Sequence, residues 1–463
     1  LKNGQFLKGD VVLVVRLVSA ERKSASFHWL ALTEVDKANQ TEVFPLKQLI
    51  NFVYVILLKR GEQMKAYEQT VTVSDKVAVR LKRGYPLFHK DDFHLPADVR
   101  EGMILRVTDG GGRFLARGYY GKQNVGQGWV LSTNKNEPID ARFFKGRIET
   151  ALNKRAALFV NEETTAFRVL NGEGDGVGGL TIDYYEGFFV VTWYSKGIYS
   201  FRSQVLEALT ACTAYKGIYE KKRFASEGQY VEDDDFVCGE RGQFPLLVKE
   251  NGMYFAVYLN DGPMTGIFLD QRHVRKRIRD QYAPGARMLN LFSYTGAFSV
   301  AAALGGAVNT TSVDLANRSR PKTEEQFLIN GIAVEDQHIV VMDAFRYLSY
   351  AEKNRLEFDL VVLDPPSFAR SKKRTFSAAK DYTLLLEKAL SVTAPNGIIV
   401  ASTNAANVEL KRFKQFVEQA CKAKNCRYEL LEEQRLPEDF ATSPAYPQGQ
   451  YLKVLIIRIT GKE

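Results

Sequence analysis

Short apolar runs punctuate the chain, and after Gly252 they fall into a regular alternation with helical stretches. Strand-like runs stand at Arg287–Phe292, Thr311–Leu315, His338–Met342, Leu360–Leu363, Gly397–Ser402 and Val454–Ile459. Strands separated by helical segments predict an α/β fold with a doubly wound parallel sheet. The ligand of such a sheet lies beyond the carboxyl ends of the strands, at the switch point. The residues that follow each strand are therefore where chemistry is expected.

Upstream the texture differs. Residues 1–71 show strand-like runs at Val11–Val18 and Phe52–Leu58 but no motif, and Met64 stands where a shorter version of the chain could begin. They are read as an extension of unassigned role. Residues 72–138 carry short β-prone runs divided by glycine: Val77–Leu81 before the basic turn Lys82-Arg83-Gly84, then Met103–Val107, the turn Asp109–Gly112 and Phe114–Tyr120. That spacing predicts a small β-barrel. Residues 139–250 read as a central α+β domain. Helices are expected over Phe144–Phe159 and Ser200–Leu209, with strands at Leu180–Asp183 and Phe188–Trp193 and a glycine-dense turn over Gly172–Gly179. The acidic run Glu232–Asp235 is read as a solvated turn. Residues 251–463 form the α/β domain.

Composition narrows the function. With 463 residues the chain exceeds one ordinary core, and 45% hydrophobic with 25% charged residues is a globular balance. Its longest apolar run, Phe52–Leu58, falls far short of the roughly 20 residues that span a bilayer. The first residues lack a signal-peptide pattern, although the chain starts at Leu1 rather than Met, so the cytoplasm is the expected location and no membrane partner is expected. Four cysteines, at 212, 238, 421 and 426, form no metal-ligand spacing, and no metal is expected. A net charge of +9 favours a polyanionic partner.

The strand ends carry the chemistry. The first strand runs into Phe292-Ser293-Tyr294-Thr295-Gly296, where small residues let a ligand approach the backbone. The second ends in Asp314-Leu315, an acid placed to accept from ribose hydroxyls. The three-glycine spacing of a pyrophosphate-binding turn is missing, which suits a nucleoside cofactor without phosphates, such as S-adenosylmethionine, and disfavours a nicotinamide dehydrogenase. Asp343-Ala344 after the third strand could accept from an adenine amino group. The fourth strand leads into Asp364-Pro365-Pro366-Ser367-Phe368. Two prolines make a rigid turn, leaving the Asp364 carboxylate as acceptor and Phe368 as a stacking plate for a flat base.

These segments together resemble the bacterial 23S ribosomal RNA large-subunit methyltransferase family. Similar stretches are Gly266–Arg272, Leu289–Gly296, Asn171–Gly176, Asp364–Phe368 and Tyr446–Leu452, within a resemblance that spans about residues 72–463. It implies a PUA-like RNA-binding barrel, a central α+β domain and a Rossmann-like class I methyltransferase domain. It further implies S-adenosyl-L-methionine as cofactor, ribosomal RNA as partner and Gln271 and Arg272 at the cofactor's amino-acid end; a homodimer is compatible with it. Lys82, Arg83 and Arg113, in or beside barrel turns, are the expected RNA contacts, with Arg370–Arg374 as the alternative basic face.

One departure bears on the target. Family members that methylate cytosine C5 carry a cysteine after the fifth strand, because C5 is unreactive until a thiolate adds at C6. Here the segment is Ala401-Ser402-Thr403-Asn404-Ala405-Ala406-Asn407, without cysteine. This Ser/Asn-rich loop resembles instead its counterpart in the enzyme domain that methylates guanine N7, an atom whose free lone pair needs no covalent adduct, and the resemblance implies guanine N7 as the target. The alternatives are cytosine C5 by another route, or an RNA-binding assembly factor that has lost activity.

Overall fold

The computed structural model describes residues 68–463 apart from 124, 225–233, 371–374 and 463, together with the backbone of strands 4–8, 11–19, 28–35 and 41–42. It divides into two compact units, 1–67 and 68–463. In the first, the strands form an antiparallel meander in sequence order. The expected run Val11–Val18 lies in its strand Val11–Ser19; Phe52–Leu58 and Met64 lie outside the described residues.

The second unit opens with a five-stranded sheet of Glu68–Thr72, Ile104–Thr108, Phe114–Tyr120, Gly126–Ser132 and Leu87–His89, in that spatial order. The strand expected over Val77–Leu81 is instead the end of a helix, Asp75–Lys82. Val77, Ala78 and Leu81 are buried on one helical face, at the i, i+4 spacing that β-branched composition conceals. A second five-stranded sheet follows, with helices Ala141–Lys154 and Arg202–Cys212 against it. Asp140 caps the first of these by accepting from the backbone N–H of Arg142 and Phe143. That helix stops at Arg155, short of the expected Phe159; a separate turn, Ala156–Phe159, completes the segment. The acidic run is not wholly solvated. Asp235 is buried and accepts from Lys221 Nζ at 2.5 Å, while residues 232 and 233 lie outside the described ones.

The C-terminal sheet has seven strands: β1 (Arg287–Leu291), β2 (Asn309–Asp314), β3 (Gln337–Val341), β4 (Phe358–Leu363), β5 (Thr393–Thr403), β6 (Cys426–Gln434) and β7 (Lys453–Lys462). Their order is β3-β2-β1-β4-β5-β7-β6. The first five are parallel, but β7 inserts antiparallel between β5 and β6, so the expected all-parallel sheet is in fact mixed. Between the strands run α1 (Ala297–Leu304), α2 (Ser319–Leu328), α3 (Ala344–Lys353), α4 (Ala378–Val392) and α5 (Leu410–Ala423). Central strands are buried on both faces, which is why β4 reads as an unbroken apolar run. Val361 and Leu363 pack toward α3 and α4, and Leu360 and Val362 toward Phe298 of α1. The switch point therefore lies at the carboxyl ends of β1 and β4.

Candidate active site

At that switch point a cavity of about 390 Å³ opens. The loop leaving β1 forms one wall under local strain: Phe292 and Tyr294 take φ of 60° and 52°, a region costly for side-chain-bearing residues. Backbone hydrogen bonds hold it there. Ser293 N–H donates to Val313 O at 3.0 Å, and Tyr294 N–H donates to Asp314 Oδ2 at 2.9 Å. Asp314 Oδ1 accepts from Ala316 N–H at 2.9 Å, so the carboxylate at the end of β2 is fixed from two sides. Asp343 caps α3 through Arg346 N–H at 3.0 Å.

Sequence-predicted residues Gln271, Phe292, Ser293, Tyr294, Thr295, Asp314, Leu315, Asp343, Ala344, Asp364, Pro365 and Pro366 all line this cavity. Three do not. Gly296 starts α1 with φ of 79°, and a Cβ there would meet Thr323 of α2 at 2.5 Å. Its lack of a side chain serves the left-handed turn and the close packing against α2. Arg272 is turned away and buried, its guanidinium bidentate on Asp439 at 2.8 and 2.6 Å, so it is not free to grip a carboxylate in the cavity. Phe368 sits outside, 63% exposed, on a short strand Phe368–Arg370 paired with Thr375–Ser377.

Buried behind the cavity wall, Ser402 donates to Asp364 Oδ1 at 2.7 Å and accepts from Gln271 Nε2 at 3.1 Å. Burial pushes the Asp364 carboxyl up to about 6; the Ser402 hydrogen bond opposes this and the neighbouring Asp270 carboxylate adds to it. Asp270 is likewise raised by burial, and Tyr451 OH donates to its Oδ2 at 2.9 Å. Among the described residues, Asp270 Oδ1 and Gln271 Oε1 are buried acceptors without a hydrogen-bond partner, and both residues line the cavity. Two orphan acceptors there call for a donor from the ligand. The α-ammonium of S-adenosylmethionine is such a donor, so the site fits the group.

Sequence reasoning missed Asp270, Ser402, Asn404 and Lys453. The first three stand inside segments already singled out, beside residues that were chosen. Asn404 lines the cavity and accepts from Ser367 Oγ at 2.6 Å. Lys453, buried at the start of β7, donates to the carbonyls of Ala405 and Val408 at 2.8 Å each, pinning the loop after β5. Burial holds its ammonium down at about 8.

The expected basic residues are apart from the cavity. Lys82 and Arg113 both approach Asp109, at 3.9 and 2.9 Å, and Arg83 lies in a shallow depression with Lys76 and Arg80. Arg370 lines the cavity; 371–374 lie outside the described residues. No described helix is long and apolar enough to cross a membrane.

Known proteins share this arrangement. The family described as S-adenosylmethionine-dependent methyltransferase matches residues 168–456, and a PUA-like domain matches residues 71–133. YwbD of Bacillus subtilis (strain 168), provisionally named a ribosomal RNA large subunit methyltransferase, is 57% identical over 391 residues, covering 84% of this chain and 99% of its own. Ribosomal RNA large subunit methyltransferase I of Aeromonas salmonicida (strain A449) is 31% identical over 383 residues, covering 82% and 96%. The crystal structure of SMU.776, provisionally described as a methyltransferase and complexed with SAH, superposes with a TM-score of 0.78 at 38% identity. It covers 84% of this chain and 100% of its own. A Rossmann-like sheet, a PUA-like domain before it and relatives matched over nearly their whole length agree, and the chain belongs to the S-adenosylmethionine-dependent methyltransferase family.

Proposed function

We propose that the protein methylates a base of large-subunit ribosomal RNA, and that the atom modified is guanine N7. Support for the RNA comes from the names of the relatives, which are matched over nearly their whole length. The observation that carries the target atom is a cysteine-free site: Asp364 and Asn404 line the cavity, Ser402 is buried against Asp364, and none of the four cysteines lines it.

S-adenosylmethionine, when bound, supplies an electrophilic methyl group whose transfer carries a positive charge onto the base. In this proposal Asp270 and Gln271 take its ammonium, Asp314 its ribose hydroxyls, and Asp343 beside Phe345 its adenine. Guanine N7 has a free lone pair and loses no proton on methylation. It asks of the protein only orientation and a nearby negative charge. The ionised Asp364 carboxylate, fixed by Ser402, supplies the charge. Pro365 and Pro366 hold the turn rigid, and the exposed Phe368 ring stacks on the base. Lys82, Arg83 and Arg113 contact phosphates at the rim of the complex. Nucleoside mass spectrometry of unmodified large-subunit RNA incubated with the purified protein and S-adenosylmethionine tests this: 7-methylguanosine is the expected product, and 5-methylcytidine would refute the target.

A further inference from the structure

Beside the cofactor cavity runs a larger groove of about 1240 Å³, walled by the PUA-like sheet, the central domain and the loop after β5. The two concavities meet at Asn404, which lines both. Lys90, Lys122 and Lys196 stand exposed on the groove, and among the described residues none is ion-paired. Unpaired ammonium groups along one groove suit a polyanion. Tyr194 lines the same groove and is 38% exposed, offering a ring face on which a base can stack. A duplex keeps its base faces covered, whereas a single strand does not.

Two carboxylates on the groove are wrong for phosphate, and one of them, Glu101, already accepts from the Lys122 backbone N–H at 2.9 Å. The other, Glu173, lies on the short turn Gly172–Asp175, and among the described residues its carboxylate has no partner except its own backbone N–H. Its neighbour Asp175 is instead saturated by Arg155, Lys154 and the Asn171 N–H. Nearby Arg168 is committed to Asp183 at 2.5 Å. Gly449 leaves room for the free carboxylate, since a Cβ there would come within 2.8 Å of Glu173 Oε1. Burial raises the Glu173 pKa, and the charge of Arg168 opposes this only in part. A carboxylate repels phosphates but accepts from the N–H groups of a base. Guanine alone among the common bases presents two adjacent kinds of N–H, N1–H and the 2-amino group, on one edge to match two carboxylate oxygens.

We propose that this groove carries a single-stranded segment of the RNA substrate and that Glu173 reads the Watson–Crick edge of a guanine in it. The proposal rests on an RNA substrate, as inferred above, but its test needs no turnover. Fluorescence anisotropy with short RNA oligonucleotides compares single strand with duplex, and guanosine with inosine, which lacks the 2-amino group. The wild-type protein should prefer single strand, and inosine should weaken binding. Glu173→Gln should lower affinity for the guanosine strand about 10- to 100-fold, with a much smaller effect on the inosine strand. Replacing Lys90, Lys122 and Lys196 with Ala should flatten the salt dependence for both. Unchanged S-adenosylmethionine affinity shows that each variant is folded. Equal binding of duplex and single strand, or an equal Glu173→Gln effect on guanosine and inosine, overturns the proposal. Failure to methylate RNA while these binding differences hold would refute the function proposed above and leave the groove assignment standing.

Discussion

Ser402 and Asp364, from the ends of β5 and β4, share a hydrogen bond of 2.7 Å, and Gln271 donates to the same Ser402 hydroxyl at 3.1 Å. With the Asp364 carboxyl held at about 6, the acceptor and its charge are lost as pH falls through that value. The account predicts that kcat/KM rises with pH across a limb near 6. In Ser402→Ala the limb should move to higher pH, because the removed donor favoured the ionised form. A limb that stays in place would detach Asp364 from the rate. Turnover in Asp364→Ala should fall by roughly 10²–10⁴.

Stability should show the same carboxyl with the opposite sign. Its folded pKa lies above the unfolded value of about 3.9, so the folded state binds the proton more tightly. That contribution favours folding at low pH and is lost as pH rises through about 6. Asp364→Asn should therefore raise the melting temperature at pH 7 in the absence of cofactor while reducing activity. A lower melting temperature would contradict the burial cost assigned to this carboxylate.

Asp314 holds the β1 loop as well as the expected ribose position. Asp314→Ala should weaken S-adenosylmethionine binding by roughly 1.5–3 kcal/mol, the cost of losing charged hydrogen bonds. Titration calorimetry giving wild-type affinity would remove Asp314 from the cofactor site.

Arg272 should behave as a structural residue. Asp439 receives its guanidinium and the Arg168 N–H, while the Asp439 carbonyl accepts from Arg155, so one loop ties the central domain to the catalytic one. Arg272→Ala strands a buried carboxylate and should cost roughly 3–5 kcal/mol of stability. Below its melting temperature the variant should keep cofactor affinity within several-fold, whereas Gln271→Ala should not. The reverse pattern in calorimetry would return Arg272 to the cofactor.

How far the sequence carried this account depends on what each pattern encodes. The strand ends and the Asp-Pro-Pro turn were legible because parallel strands bury both faces and ligands gather at their carboxyl ends. Strand β6 was not: it is an edge strand whose Cys426–Gln434 segment is half exposed and polar, without apolar periodicity. Gln271 and Arg272 are sequence neighbours at a helix start and point in different directions, one to the cavity and one to Asp439. Spacing alone does not separate them. Nor does it expose Asp270, whose significance lies in an oxygen left without a partner.

No covalent enzyme–RNA adduct should form. Cys421 is buried in the α5 core and pushed up to about 12, and Cys212 and Cys238 lie in the central domain. Replacing all four cysteines with Ala or Ser should leave turnover within several-fold if the fold survives. A complex trapped on 5-fluorocytosine-substituted RNA, and lost in a single-cysteine variant, would restore cytosine C5.

The most direct measurement of the central claim is a mass map of methylated nucleotides in large-subunit ribosomal RNA from a deletion strain and its parent. The account predicts one guanosine that carries an N7 methyl group in the parent and none in the deletion strain, restored by the intact gene and not by its Asp364→Ala variant. Identical maps, or a missing methyl group on cytosine C5, would contradict it.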